Sequence, residues 1–128
     1  MHLDERLQAL ADFVPEGSRV ADIGTDHGYL AVALIKQGKS EFVVAGDKNR
    51  GPYEAAKRTV HEHALGESQI SVRLGDGLEV IKPGEVDTVC IAGMGGILMN
   101  TILEASPEVT ARLKTLVLQP MNGVMELR

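Results

Sequence analysis

Four carboxylates stand in or just before glycine turns, where they could do chemistry. They are Asp22 in Val20-Ala-Asp-Ile-Gly24, Asp26 in Thr25-Asp-His-Gly-Tyr29, Asp47 in Ala45-Gly-Asp-Lys48, and Asp76 in Gly75-Asp-Gly77. Gly24 and Gly28 bracket the first turn and remove the Cβ atoms that would keep a ligand off the backbone. The helix expected from His27 to Gly38 points unpaired N–H groups and the positive end of its dipole at the same place. A dinucleotide fingerprint laid on Gly24 needs glycine where Asp26 and Tyr29 stand, so two of its three glycines are missing. A phosphate-gripping loop ending in Gly38-Lys39-Ser40 fails as well, because Ala33 occupies its first glycine and the segment follows a helix instead of a strand. An acidic residue before the turn and another inside it suit a ligand that carries positive charge and no phosphate.

S-adenosylmethionine is such a ligand, since its sulfonium and amino groups are cationic. Asp47 lies 23 residues after Gly24, near the distance at which a carboxylate after the second strand reaches a ribose diol. The plainer role for it is a helix cap. Asp76 is placed to accept from an adenine amino group, although Asp-Gly is also a common turn signal. Three glycines in Gly93-Met-Gly-Gly96 are costly to order unless backbone must come close to a ligand; the alternative is a tight helix entry. The cofactor-binding set is therefore Asp22, Gly24, Gly28, Asp47, Lys48, Asp76, Gly77, Ala92 and Gly93. His27 and Tyr29 share the first turn, where packing and substrate contact are both open. His61 and His63 are two apart on an expected helix and point to nearly opposite sides, so no metal site is expected there.

The elements that must position these residues alternate. Leu3, Leu7, Leu10 and Val14 recur at helical spacing in a covering helix closed by Pro15. Strands are expected over Ser18–Ile23, Glu41–Asp47, Gln69–Leu74, Val86–Ala92 and Thr115–Gln119, and helices over Tyr53–Ala64, led by Pro52, and Ile97–Ala105. Glu54 and Arg58 are spaced as an i,i+4 pair on the first of these two helices. A short helical stretch after Gly77 ends at Pro83-Gly84. This alternation predicts a mostly parallel sheet with right-handed crossovers, a Rossmann-like doubly wound α/β fold, and a ligand crevice at the carboxyl ends of the strands. Met121–Arg128 reads as the start of another crossover helix, so the chain is expected to be truncated at its C-terminus.

The chain has 128 residues, 44% of them hydrophobic, which is room for one core and a single domain over residues 1–128. A net charge of −5, from 18 acidic and 13 basic side chains, argues against a strong grip on a nucleic-acid backbone by this chain alone. The lone Cys90 excludes an internal disulfide and suits a reducing, cytoplasmic setting. No apolar run approaches the ~20 residues of a membrane span, so neither a transmembrane helix nor a signal peptide is expected.

The order Asp-Ile-Gly-Thr-Asp-His-Gly-Tyr-Leu30, Gly46-Asp47, Gly75-Asp-Gly77, Ile91-Ala-Gly-Met-Gly-Gly96 and Leu118-Gln-Pro-Met-Asn122 closely resembles the bacterial TrmK family across essentially the whole chain. That resemblance implies a class I methyltransferase domain using S-adenosylmethionine to methylate N1 of an adenine in tRNA, as the adenine-22 enzymes do. It also implies a helical C-terminal domain that helps hold tRNA and is absent here, together with the last strands of the catalytic sheet. Catalytic competence of the 128-residue chain alone therefore does not follow from the resemblance. In this reading Tyr29 stacks on the unpaired adenine, Asp26 stabilises the charge it acquires, and His27 assists proton movement from the exocyclic amine. Two rivals share the same sheet: a nicotinamide-dependent dehydrogenase and a noncatalytic cofactor-binding module.

Overall fold

The computed structural model describes residues 3–120 and 125–127. Its six-stranded sheet has the order β3-β2-β1-β4-β5-β6. The strands are β1 (Ser18–Ile23), β2 (Ser40–Asp47), β3 (Ile70–Leu74), β4 (Thr88–Met94), β5 (Thr115–Pro120) and β6 (Met125–Leu127). The first five are parallel and β6 pairs antiparallel to β5. The fold is thus Rossmann-like, and the winding reverses between β1 and β4, the place where such sheets open a ligand crevice.

Alternation along the strands builds two cores. Val20, Val43, Ala45, Ile70, Cys90 and Val117 meet α1 (Glu5–Phe13), α2 (Tyr29–Lys36) and α3 (Arg50–Glu62) on one face. Their neighbours Ala21, Ile23, Val44, Val89, Ile91 and Leu118 meet a 3-10 turn (Gly77–Val80), α4 (Gly96–Ala105) and the single turn α5 (Pro107–Thr110) on the other. Strands buried on both faces need near-continuous apolar runs, which is what made β2 and β4 readable.

Several expectations shift in detail. Asp4 caps α1, its carboxylate accepting the Leu7 N–H at 2.8 Å, so the helix starts after Asp4 and not at Leu3. α2 begins at Tyr29; His27 belongs to the turn before it. α3 starts two residues before Pro52, which stands at its third position. That is still within the first turn, where an N–H has no intrahelical acceptor, so proline costs nothing there. Glu54 pairs with Arg50 at 3.7 Å, not with Arg58. β4 runs on through Gly93, whose φ of 69° accompanies a register shift against β5 between Ala92 and Met94. The helix expected over Met121–Arg128 is not formed at Met125–Leu127, which extend the sheet instead; the rest of that stretch lies outside the described residues.

Candidate active site

The turn after β1 is tied to β2 by its own backbone. Gly24 and Thr25 both donate their N–H to the Gly46 carbonyl, at 2.9 and 3.0 Å, and Gly28 donates to the Thr25 carbonyl at 3.0 Å. Asp26, at φ 58°, donates its N–H to Asp47 Oδ2 at 3.2 Å. Left-handed backbone is unusual for a residue other than glycine, although aspartate tolerates it better than most. With these four donors engaged, the turn does not offer the nest of open N–H groups that grips a phosphate.

Asp47 is buried, and its second oxygen accepts the Asn49 N–H at 3.0 Å. One carboxylate therefore holds the loop after β1 and the entry to α3. Asp22 lies beneath, 3% exposed, with Thr25 Oγ1 donating to its Oδ2 at 2.8 Å. Burial pushes its carboxyl up from 3.8 to about 6; the Thr25 hydrogen bond works the other way, and the charges of Asp47 and Asp26 push further up.

Two adjoining chambers open at the carboxyl ends of the strands. The smaller, about 130 Å³, is walled by Gly46, Asp47, Lys48, Asp76, Gly77 and the apolar Leu98 and Ile102. The larger, about 380 Å³, is walled by Asp22, Asp26, His27, Tyr29, Ala92 and Gly93, with Arg6 and Leu7 reaching in from α1. Gly24, Asp47, Asn49 and Met94 line both, so the chambers adjoin along these four residues as one crevice. A cofactor-sized ligand needs about 300–1,000 Å³, which the two together provide.

The structure brings together all but one of the residues singled out in the sequence. Gly28 lines neither chamber: at φ 76° it is the left-handed cap of α2, and a Cβ there would meet the Ala56 backbone of α3 at 3.3 Å. The missing side chain lets two helices approach, not a ligand. Gly24 does line the crevice, but its open side faces Met94 Cε, 2.8 Å from where a Cβ would be. Asp76 precedes the 3-10 turn without capping it, which leaves its carboxylate available. Tyr29 is 43% exposed and stacks on His27, centroids 5.3 Å apart, so one ring face is covered and the other remains open to a planar partner. His27 Nε2 lies 3.9 Å from Asp26 Oδ1. Sequence reasoning missed Arg6, Asn49 and Leu98, none of which stands in a pattern distinguishable from an ordinary helix or loop, and in Gly93-Met-Gly-Gly96 it weighed the glycines and passed over the Met94 side chain. Among the described residues no group of three or more His, Cys, Asp or Glu side chains is placed to hold a metal. No helix among them is long and apolar enough to cross a membrane.

A doubly wound sheet with acidic residues at the ends of β1 and β2 and a glycine bulge ending β4 defines a Rossmann-like cofactor-binding domain. Residues 3–128 match the family described as "Methyltransferase domain", and the chain belongs to that family. It is 44% identical, over all 128 residues, to the tRNA (adenine(22)-N(1))-methyltransferase of Bacillus subtilis, covering 53% of that protein. The crystal structure of the B. subtilis M1A22 tRNA methyltransferase TrmK superposes with a TM-score of 0.87 at 48% identity, over 93% of this chain and 50% of that one. TrmK of M. capricolum, solved with S-adenosyl-homocysteine, gives a TM-score of 0.82 at 30% identity, over 92% and 52%. The chain spans about half the length of these relatives.

Proposed function

We propose that residues 1–128 form the cofactor-binding domain of an S-adenosylmethionine-dependent methyltransferase acting on N1 of an adenine in tRNA. The observation that carries this reading is the crevice itself: Asp22, Asp26 and Asp47 line a space whose turn has no N–H nest for phosphate. A cationic cofactor without phosphate fits that chemistry, and a pyrophosphate-bearing nicotinamide dinucleotide does not. Relatives known with this class of ligand support it, the M. capricolum protein holding the demethylated product and a Streptococcus pneumoniae homologue S-adenosyl-L-methionine.

In this reading Asp47 faces the ribose hydroxyls and Asp76 the adenine amine, with Lys48 and Gly77 beside them on the wall of the smaller chamber. Gly24, Asp22, Ala92 and Gly93 surround the methionine end in the larger one. When bound, the cofactor would supply an electrophilic methyl group on a sulfonium, so the protein's task is to align the nucleophile and to tolerate the charge that moves. Adenine N1 is on the pairing edge, so the base must leave any duplex to reach the crevice. Tyr29 offers it an open ring face, and the exposed Asp26 carboxylate lies close enough to favour the positive charge the base acquires on methylation. His27, between them, can carry a proton from the exocyclic amine. With a net charge of −5, this chain leaves most of the RNA backbone to be held by a helical domain outside it. The free, buried Cys90 suits a cytoplasmic protein.

The test compares Tyr29→Ala and Tyr29→Phe in the full-length protein. Tyr29→Ala should lose roughly 1–3 kcal/mol of base binding, seen as lost tRNA methylation at unchanged cofactor affinity and melting temperature, while Tyr29→Phe keeps most activity. A parallel fall in melting temperature would make Tyr29 structural. Calorimetry in which NAD bound and S-adenosylmethionine did not would replace the reading with a dehydrogenase. Cofactor binding without transfer to any tRNA would leave only a binding module.

A further inference from the structure

The 13 Lys and Arg side chains of the chain are unevenly spread. Lys48, Arg50, Lys57 and Arg58 fall within residues 48–63 beside only Glu54 and Glu62, a local excess of positive charge in a chain whose net charge is −5. This stretch is α3 and its entry. Ala55, Ala56, Thr59 and Val60 are buried against the sheet, which leaves Arg50, Lys57 and His61 on one line down the exposed side of the helix, with Arg58 next to it. The line starts at the crevice, because Asn49 and Pro52 wall the larger chamber. Thirteen residues at 1.5 Å each carry it about 20 Å away from there.

A charged helix face is ordinarily satisfied by pairs along the helix itself. Here Glu54 goes to Arg50, and Arg58, with Glu54 and Glu62 each four residues away, pairs with neither. Among the described residues Lys57 enters no ion pair either. Tyr53 holds it instead: Lys57 Nζ donates to the phenol oxygen at 3.4 Å and lies 5.2 Å from the ring centroid. The ammonium is thereby kept beside a groove of about 280 Å³ between α3 and β3, which has apolar walls at Val60, Leu65 and Val72, His61 near Lys57, and Glu67 as the one carboxylate among its described lining. Cations without carboxylate partners, drawn out in a line, suit a polyanion better than a single small anion.

We propose that the exposed face of α3 is an RNA contact of this domain, on which Lys57 and Arg58 hold backbone phosphates of the strand whose adenine enters the crevice. This rests on the tRNA reading above and names the surface along which that strand leaves the site. About two phosphates are a minor share of the grip on a tRNA, in keeping with the negative charge of the rest of the chain. Binding of unmodified tRNA to the full-length protein is measured across a salt series. Lys57→Ala and Arg58→Ala should each weaken it several-fold, lower the slope of log K against log salt by about one, and raise KM for tRNA in the methylation assay. By calorimetry S-adenosylmethionine affinity should stay within about twofold. Lys57→Arg, which keeps the charge, should keep the slope. Lys36→Ala removes the same charge from the exposed last turn of α2, at the opposite end of the strands, and should leave slope and KM at parent values.

A parent-like slope in both Lys57→Ala and Arg58→Ala would overturn the proposal and leave this face to solvent or to an acidic protein. An equal fall in the slope for Lys36→Ala would overturn it as well, because the effect would then belong to net charge and not to α3. A parent protein that binds S-adenosylmethionine but neither binds nor methylates tRNA would overturn the tRNA reading and this contact with it. Parent-like alanine variants of an active enzyme would overturn the contact alone, which keeps the two failures apart.

Discussion

Two carboxylates on opposite sides of the molecule show how differently one sheet treats charge at its two ends. Glu85, in the loop that feeds β4, receives the fork of Arg73 at 2.8 and 2.7 Å and the Lys82 N–H at 3.1 Å. The Arg73 hydrogen bonds hold its carboxyl well below the usual range, at about 2. Around it the amino ends of the strands are similarly paired: Ser40 Oγ donates to the Ser18 carbonyl at 2.6 Å, and Arg19 Nε donates to the Glu85 carbonyl at 3.0 Å. Asp22, at the carboxyl end of β1, has a single threonine hydroxyl for company, two more carboxylates nearby, and a pKa pushed up to about 6. One end of the sheet neutralises its charges internally; the other leaves them for something else to neutralise.

The sharpest way to test that contrast is to remove the charge that lacks a partner. Asp22→Asn should stabilise the unliganded protein at pH 7 by up to about 3 kcal/mol, since a raised carboxyl pKa penalises the folded state once the group ionises. The sign follows from proton counting. Between 3.8 and about 6 the folded protein binds more protons at Asp22 than the unfolded chain, so stability falls as pH rises through that window and levels off above it. Urea titrations at several pH values should show this slope in the parent and its loss in Asp22→Asn; an unchanged slope would place the strain elsewhere.

Asp47→Ala should cost roughly 1.5–3 kcal/mol of S-adenosylmethionine affinity by calorimetry, and unchanged affinity would remove Asp47 from the ribose. Because this carboxylate also accepts the Asp26 and Asn49 N–H groups, Asp47→Asn should fall between parent and alanine variant. Gly28→Ala should lower stability by about 1–2 kcal/mol for its left-handed φ, plus a packing term from the Ala56 backbone. Gly17→Ala, at φ 80° with nothing near its Cβ position, measures the conformational part alone. At the paired end the effect should be smallest: Glu85→Gln should lose about 1 kcal/mol of stability and leave cofactor affinity unchanged. The stabilisation from this lowered pKa is present above 4.5 and is lost as pH falls toward 2, so acid should erase the difference between parent and variant.

The parallel sheet and the placing of Asp22, Asp47 and Asp76 at strand ends were legible because doubly buried strands leave apolar runs that end abruptly in polar turns. The direction in which a glycine's vacant position points was not. Gly24 and Gly28 look equivalent in the sequence, yet one faces Met94 and the other Ala56, a matter settled by helix packing and not by the local turn. Arg6 was hidden for a related reason. On an amphipathic helix it reads as one more solvated charge, and only a hydrogen bond to its carbonyl from Gln119 Nε2, 113 positions away, ties it to the crevice. β6 was misread because Met125–Leu127 are too few to show a strand period, and their structure comes from the β5 edge beside them.

The open charges around Asp22 also make the protein's lifetime a function of its surroundings. A cation that settles among the three carboxylates stabilises the folded form and not the unfolded chain, so melting temperature must climb with ligand concentration, by about 2.7 kcal/mol of stability at a hundred times Kd. Thermal denaturation then reports occupancy. A cell depleted of such a ligand would hold the same polypeptide closer to unfolding and to proteolysis, which couples the abundance of this domain to the supply of what it binds.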